Sequence, residues 1–166
     1  MNVLAIDASS TAIGMACGPN PQTAPHMRLI VPPKDFVWHE RMSYATKGIC
    51  QFIEDCQPTH IVLEDLGGYI KVGGASTQKY AAAVGHVHCL CDLYAEKLGF
   101  NLHMIKPTTW TKGGRKSKRQ AMAHFMFDAQ GYATWSDPGG DLSDALMLMS
   151  WMHDHLKTEE LKAQAK

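Results

Sequence analysis

The 166 residues carry sixteen basic and sixteen acidic side chains, a formal net charge of zero, and are 45% hydrophobic and 19% charged. That composition excludes a disordered chain, and no apolar run approaches the roughly 20 residues of a bilayer-spanning helix. The even charge balance excludes a generic polycation that works by bulk attraction to nucleic acid or anionic membrane. The length suits one domain, placed at 1–156, with a polar tail at 157–166 that is expected to fray. The opening Met1–Asp7 has no basic segment and the first arginine is Arg28, so neither a signal peptide nor a transit peptide is expected. Five cysteines form no disulfide framework and read as reduced thiols in a cytoplasm-like compartment.

In chain order, Val3 to Ile6 is a short apolar run that ends at Asp7 and reads as a buried strand. Thr11 to Gly18 is the returning strand, and Met27 to Val31 a third, stopped by Pro32 and Pro33. Val37, Met42, Ala45, Ile49, Phe52, Ile53 and Cys56 recur at helical spacing up to Pro58. His60 to Glu64 is a compact strand, followed by a glycine-rich loop from Leu66 to Gly74. A long helix is predicted over Ser76–Leu98, stopped by Gly99, then a strand over Phe100–Ile105. A basic loop leads to a helix over about Ser117–Ala129, and a last helix runs from Asp141 to about His155. The fold class is therefore α/β, a mixed sheet in which a meander of three strands is extended by parallel neighbours and covered by helices.

Two acids end predicted strands, Asp7 and Glu64, and two open the last helix, Asp141 and Asp144. An ionised carboxylate at the end of a buried strand needs a partner or a metal. Asp141 and Asp144 are three apart and share a helix face. Should that helix pack at the sheet edge, four carboxylates converge, and hard divalent cations such as Mg²⁺ or Mn²⁺ relieve their repulsion. Two such ions roughly 3.5–4 Å apart form the clamp used in phosphodiester hydrolysis. Each acid also has a plainer role: Asp7 shaping the turn with Ser9 and Ser10, Glu64 and Asp65 solvated at a strand end, Asp141 capping a helix with Asp144 in its first turn.

These residues resemble a known family. Ala5 to Gly14 is similar to the first motif of RuvC-like Holliday junction resolvases, Ile61 to Glu64 to their second acidic strand, and Asp141 to Leu146 to the final acidic pair with its Ala-Leu. Gly85 to His88 matches the central helix weakly, and Lys118, Arg119 and Gln120 resemble the basic segment before the penultimate helix. The resemblance spans 2–156. It implies an RNase H-like fold with a five-stranded mixed β-sheet flanked by α-helices, and a homodimer whose two active sites each nick one strand of a four-way DNA junction. It implies Mg²⁺ or Mn²⁺, two per active site, held by Asp7, Glu64, Asp141 and Asp144. Departures are Ala8-Ser9 where the family often has Pro-Gly, Leu142-Ser143 where Ala-Ala is common, and an individual loop after Glu64. They suit a divergent member of viral or phage type, acting in the cytoplasm of a bacterial or virus-infected cell.

The stretch 106–119 holds Lys106, Lys112, Arg115, Lys116, Lys118 and Arg119 and no acid. Gly113 and Gly114 let backbone approach a phosphate, and Thr108, Thr109, Thr111 and Ser117 add hydroxyl donors. Trp110 offers a stacking face. The alternative is a solvated loop; beside a nuclease site, DNA contact is the favoured reading. Lys118 is the candidate for stabilising charge on the scissile phosphate. In the glycine-rich loop, Tyr69 is a candidate to stack on an unpaired base and Lys71 to hold a neighbouring phosphate. His86, His88, Cys89 and Cys91 match no common zinc spacing and read as helix packing. His124, His153 and His155 read as packing or surface residues, and Met147, Met149 and Met152 as core. The function expected is resolution of four-way junctions. The alternatives are an RNase H-like nuclease on other branched DNA or RNA, a non-catalytic nucleic-acid-binding homologue, and a fragment of a sugar-kinase-like ATPase, which 166 residues suit poorly.

Overall fold

In a computed structural model, the chain is described at residues 1–20, 23, 25–65, 74–112, 114–128, 137 and 139–165. Its apolar runs form strands β1 (Val3–Ala8), β2 (Ile13–Gly18), β3 (His26–Ile30), β4 (His60–Glu64) and β5 (Asn101–Ile105). They make one five-stranded sheet in the order β3-β2-β1-β4-β5. The meander pairs antiparallel, β1 with β2 and β2 with β3, while β4 joins β1 and β5 joins β4 in parallel. This is the mixed sheet expected from the sequence.

Strand β1 lies at the centre and is buried on both faces, which is why it reads as an uninterrupted apolar run. Side chains alternate across it. Leu4 and Ile6 join a core with Ile49, Phe52 and Ile53 of α1 (Trp38–Cys56) and Val87 and Cys91 of α2 (Ala75–Leu98). Val3 and Ala5 enter a second core with Ala123 and Phe127 of α4 (Lys116–Asp128) and Leu148, Met149 and Met152 of α5 (Asp141–Gln164). Met149 and Met152 are thus core residues, as expected, and His153 is buried with its Nε2–H donated to the Gly18 carbonyl at 3.0 Å.

Local chemistry sets the helix ends. The Val37 amide donates to the Glu40 carboxylate at 2.9 Å, which satisfies a donor at the start of α1. Helix α2 stops at Gly99, whose φ of 74° is left-handed and suits glycine.

Two regions differ from expectation. The basic loop contains a five-residue helix, α3 (Pro107–Thr111), with Pro107 in its first turn, where a missing N–H is harmless. Helix α5 continues past His155 to Gln164, so the polar tail is helical; there Lys162 donates to Glu159 at 2.8 Å. No helix among the described residues is long and apolar enough to cross a membrane.

Candidate active site

The sheet register brings the first two acids together. Ile6 pairs with Leu63 in the parallel β1–β4 ladder, so Asp7 and Glu64 are the next residues along at one end of the sheet. The Asp65 amide donates to the Ile105 carbonyl at 2.8 Å, which anchors this end of β4 on β5. His88 of α2 also bonds the Glu64 carbonyl at 2.9 Å. On the other side Asp7 pairs with Gly14 of β2. A Cβ on Gly14 would overlap the Asp141 carbonyl, so glycine here lets the start of α5 press against the sheet end. That contact delivers Asp141 and Asp144 to Asp7 and Glu64.

The plainer roles of these acids fall to other residues. The turn after β1 is held by Ser9, whose Oγ donates to the Ala12 carbonyl at 2.9 Å and accepts from the Ala12 amide at 3.0 Å. The start of α5 is capped by Asp137, which the sequence did not single out. It accepts from the Leu142 amide at 3.1 Å and from the Ser143 amide and hydroxyl at 2.8 and 2.7 Å. Asp141 and Asp144 are therefore not spent on capping, and only 8% and 6% of their side-chain surface is exposed.

Burial and mutual repulsion mark the site. Asp7 is pushed well above the usual carboxylate range by burial, then by Glu64, Asp144 and Asp141, with Lys116 opposing. Burial raises Glu64, against the Trp110 hydrogen bond, and also raises Asp141, against Lys116. Tyr80 of α2 lines the same crevice as Asp7 and Glu64 and is raised by burial and then by those two acids.

A cation lies among the acids. The Lys116 ammonium is 3.2 Å from Asp141 Oδ1, 3.4 Å from Asp144 Oδ2 and 4.0 Å from Asp7 Oδ2. Burial opposes its charge, but the three acids outweigh burial and raise its pKa. Arg119 forks onto Asp144, with Nε to Oδ1 at 2.7 Å and Nη2 to Oδ2 at 3.0 Å, and Nη1 donates to the Gly114 carbonyl at 2.6 Å.

Trp110 was expected to present a stacking face. It is instead 7% exposed, donates Nε1–H to Glu64 Oε1 at 2.8 Å and carries the Arg119 guanidinium 5.2 Å from its ring centre. It therefore orients an acid.

The other basic candidates are dispersed. Lys106, Lys112, Arg115 and Lys118 are exposed. Lys118 does not join Lys116 among the acids; it lines a neighbouring hollow with Lys112. The reason is helix phase. Lys116 and Arg119 are three apart on α4 and share the face toward the acids, whereas Lys118 falls on the adjoining face. Tyr69 and Lys71 lie outside the described residues.

The donor set suits a hard divalent cation: four oxygen-only carboxylates from β1, β4 and α5, three of which, Asp7, Asp141 and Asp144, already stand around one ammonium. Among the described residues no three His, Cys, Asp or Glu stand close enough to hold an ion as they are. Lys116 stands among Asp7, Asp141 and Asp144, and Arg119 holds Asp144. The same finding covers His86, His88, Cys89 and Cys91. There His86 pairs with Thr46 at 2.7 Å, Cys89 is exposed and Cys91 is buried.

No family model matches the sequence, and no curated protein matches it. Solved structures do match. Thermus thermophilus RuvC in complex with Holliday junction substrate superposes with a TM-score of 0.72 at 15% identity, covering 95% of this chain and 96% of that one. A second Thermus thermophilus RuvC structure gives 0.69 at 16% identity, over 96% and 97% of the two chains. The yeast mitochondrial Holliday junction resolvase Ydc2 gives 0.60 at 16% identity, over 95% of this chain and 80% of that one. Nearly the whole chain thus has the RNase H-like fold of RuvC and Ydc2.

Proposed function

We propose that the chain is a metal-dependent endonuclease that resolves four-way DNA junctions by paired phosphodiester hydrolysis, acting as a homodimer with one site per protomer. The observation that carries this reading is the gathering at one end of the sheet of Asp7, Glu64, Asp141 and Asp144, from three separate elements, with the Lys116 ammonium among Asp7, Asp141 and Asp144. The fold shared with RuvC supports the junction as substrate, because one of those structures holds a Holliday junction.

Asp7, Glu64, Asp141 and Asp144 would hold Mg²⁺ or Mn²⁺, two per site, and such ions supply an activated water and a stabilised leaving oxygen. The protein's own groups do the rest. Trp110 and Arg119 fix the Glu64 and Asp144 carboxylates by hydrogen bonds, so they need little reorganisation to act. Lys116 takes over from Lys118 as the group that offsets charge on the scissile phosphate, since its ammonium is the one that reaches the acids. Lys106, Lys112, Arg115 and Lys118 anchor neighbouring phosphates, and Tyr69 and Lys71 remain candidates for the unpaired region of the junction. Leu93, 60% exposed on α2, offers apolar surface for dimer contact.

The test is cleavage of an end-labelled four-way junction beside a duplex of the same sequence in Mg²⁺. Symmetric nicks in the junction alone are expected. Equal cleavage of both would leave a nuclease without junction selectivity. Preference for an RNA–DNA hybrid would move the reading to an RNase H-like activity.

A further inference from the structure

Beside the acids, α3, α4 and α5 enclose a hollow of about 450 Å³ that the proposed chemistry does not use. Its lining is apolar and polarisable, with Trp110, Trp151, Met122, Met126 and Met147. Its charged residues are three cations, Lys112, Lys118 and Arg119, against one acid, Asp154. Trp151 is half-buried, with one face stacked on His155 at 5.1 Å and 8° between planes, and Met122 is 50% exposed. Two residues belong both to this hollow and to the acid cluster. Trp110 donates to Glu64, and Arg119 forks onto Asp144. The hollow and the carboxylates are therefore two sides of one Trp–Arg wall.

We infer that this hollow is a binding site for one unpaired nucleobase of the DNA, adjacent to the phosphate held at the acids; the inference rests on the nuclease reading above. The volume lies within the range of small-molecule sites and accommodates a base with part of its sugar. Tryptophan faces and methionine sulfurs suit the flat, polarisable surface of any base. An apolar protein segment would gain from the same lining, but it would leave Lys112 and Lys118 facing the single acid Asp154. A nucleotide brings its own phosphates to Lys112 and Lys118. Base capture here places the reacting strand by a contact next to the acids. Its loss weakens ground-state binding of branched DNA even where no cleavage takes place.

The test uses the full chain carrying Asp7→Asn, so that the DNA stays intact, and four-way junctions with a single abasic site moved one nucleotide at a time around the branch. One abasic position is expected to weaken binding about tenfold, and Trp151→Ala about equally. Together they should cost no more than either alone, because both delete the same contact. Met122→Glu, at a half-exposed position, checks the result independently of core packing and should mimic Trp151→Ala. Indifference to every abasic position, or full additivity with both variants, overturns the inference while leaving the nuclease reading intact. Junction affinity unchanged by either variant also overturns it. Failure of the Asp7→Asn chain to bind branched or duplex DNA overturns both readings.

Discussion

At the residue scale, the site depends on side chains whose sequence signals differ in strength. Asp7, Glu64, Asp141 and Asp144 were legible because an acid at the end of an apolar run is costly without a purpose. Lys116 was not separable from Lys118 in the sequence, since the choice between them is made by the phase of α4 against α5. Trp110 looked like a DNA-stacking residue because sequence alone does not show burial or the Glu64 carboxylate beside its N–H. Two substitutions follow. Trp110→Phe keeps a smaller aromatic face and removes the donor, so single-turnover cleavage should fall about tenfold or more, and by a larger factor than junction affinity. Lys116→Ala should slow cleavage about a hundredfold, the usual scale for loss of a charge-stabilising donor. In chelator the same variant should melt lower than native, because three buried acids lose their counter-charge. Normal cleavage by Lys116→Ala would return the role to another cation.

At the element scale, the strands and α1 could be read directly, because their apolar spacing is set by what they bury. The single turn of α3 was hidden in a stretch whose composition says only that it is basic, although Pro107 at its first position was an available signal. The extension of α5 was hidden because residues 157–164 are exposed and polar and have no core to impose a period. The packing of α5 on β2 turns on Gly14. Gly14→Ala forces backbone apart at Asp141 and should cost about 1–3 kcal/mol. A drop in melting temperature of roughly 2–4 °C per kcal/mol would report it. Asp137→Ala removes the α5 cap and should cost about 1 kcal/mol. Both should also weaken cleavage, because each loosens the helix that carries two of the four acids. A thermal melt that leaves Gly14→Ala at the native value would contradict the close approach.

At the scale of the whole molecule, one sheet with a core on each face leaves its strand ends as the place where polar chemistry collects. The net charge of zero conceals this segregation: a buried acid cluster lies beside a run of six bases between Lys106 and Arg119. DNA affinity should therefore fall steeply with salt despite the neutral chain, and Lys112→Ala should reduce the slope of log K against log salt by about one. Burial also makes stability acid-sensitive. His60, His88, His103 and His153 are all lowered from 6.5, chiefly by burial. At these four imidazoles the unfolded chain binds more protons than the folded one as pH falls below 6.5, so their contribution to stability is lost in that window, while the raised Asp7, Glu64 and Asp141 contribute with the opposite sign. His153→Gln keeps a donor for Gly18 and should flatten the dependence of melting temperature on pH from 7 downward. We propose that four acids from three elements form one hydrolytic centre. Cleavage of a labelled four-way junction in Mg²⁺ by the native chain and by Asp7→Asn tests it most directly. Paired nicks from the native chain and none from the variant, with junction binding retained, are predicted; equal cleavage by the two would contradict the account.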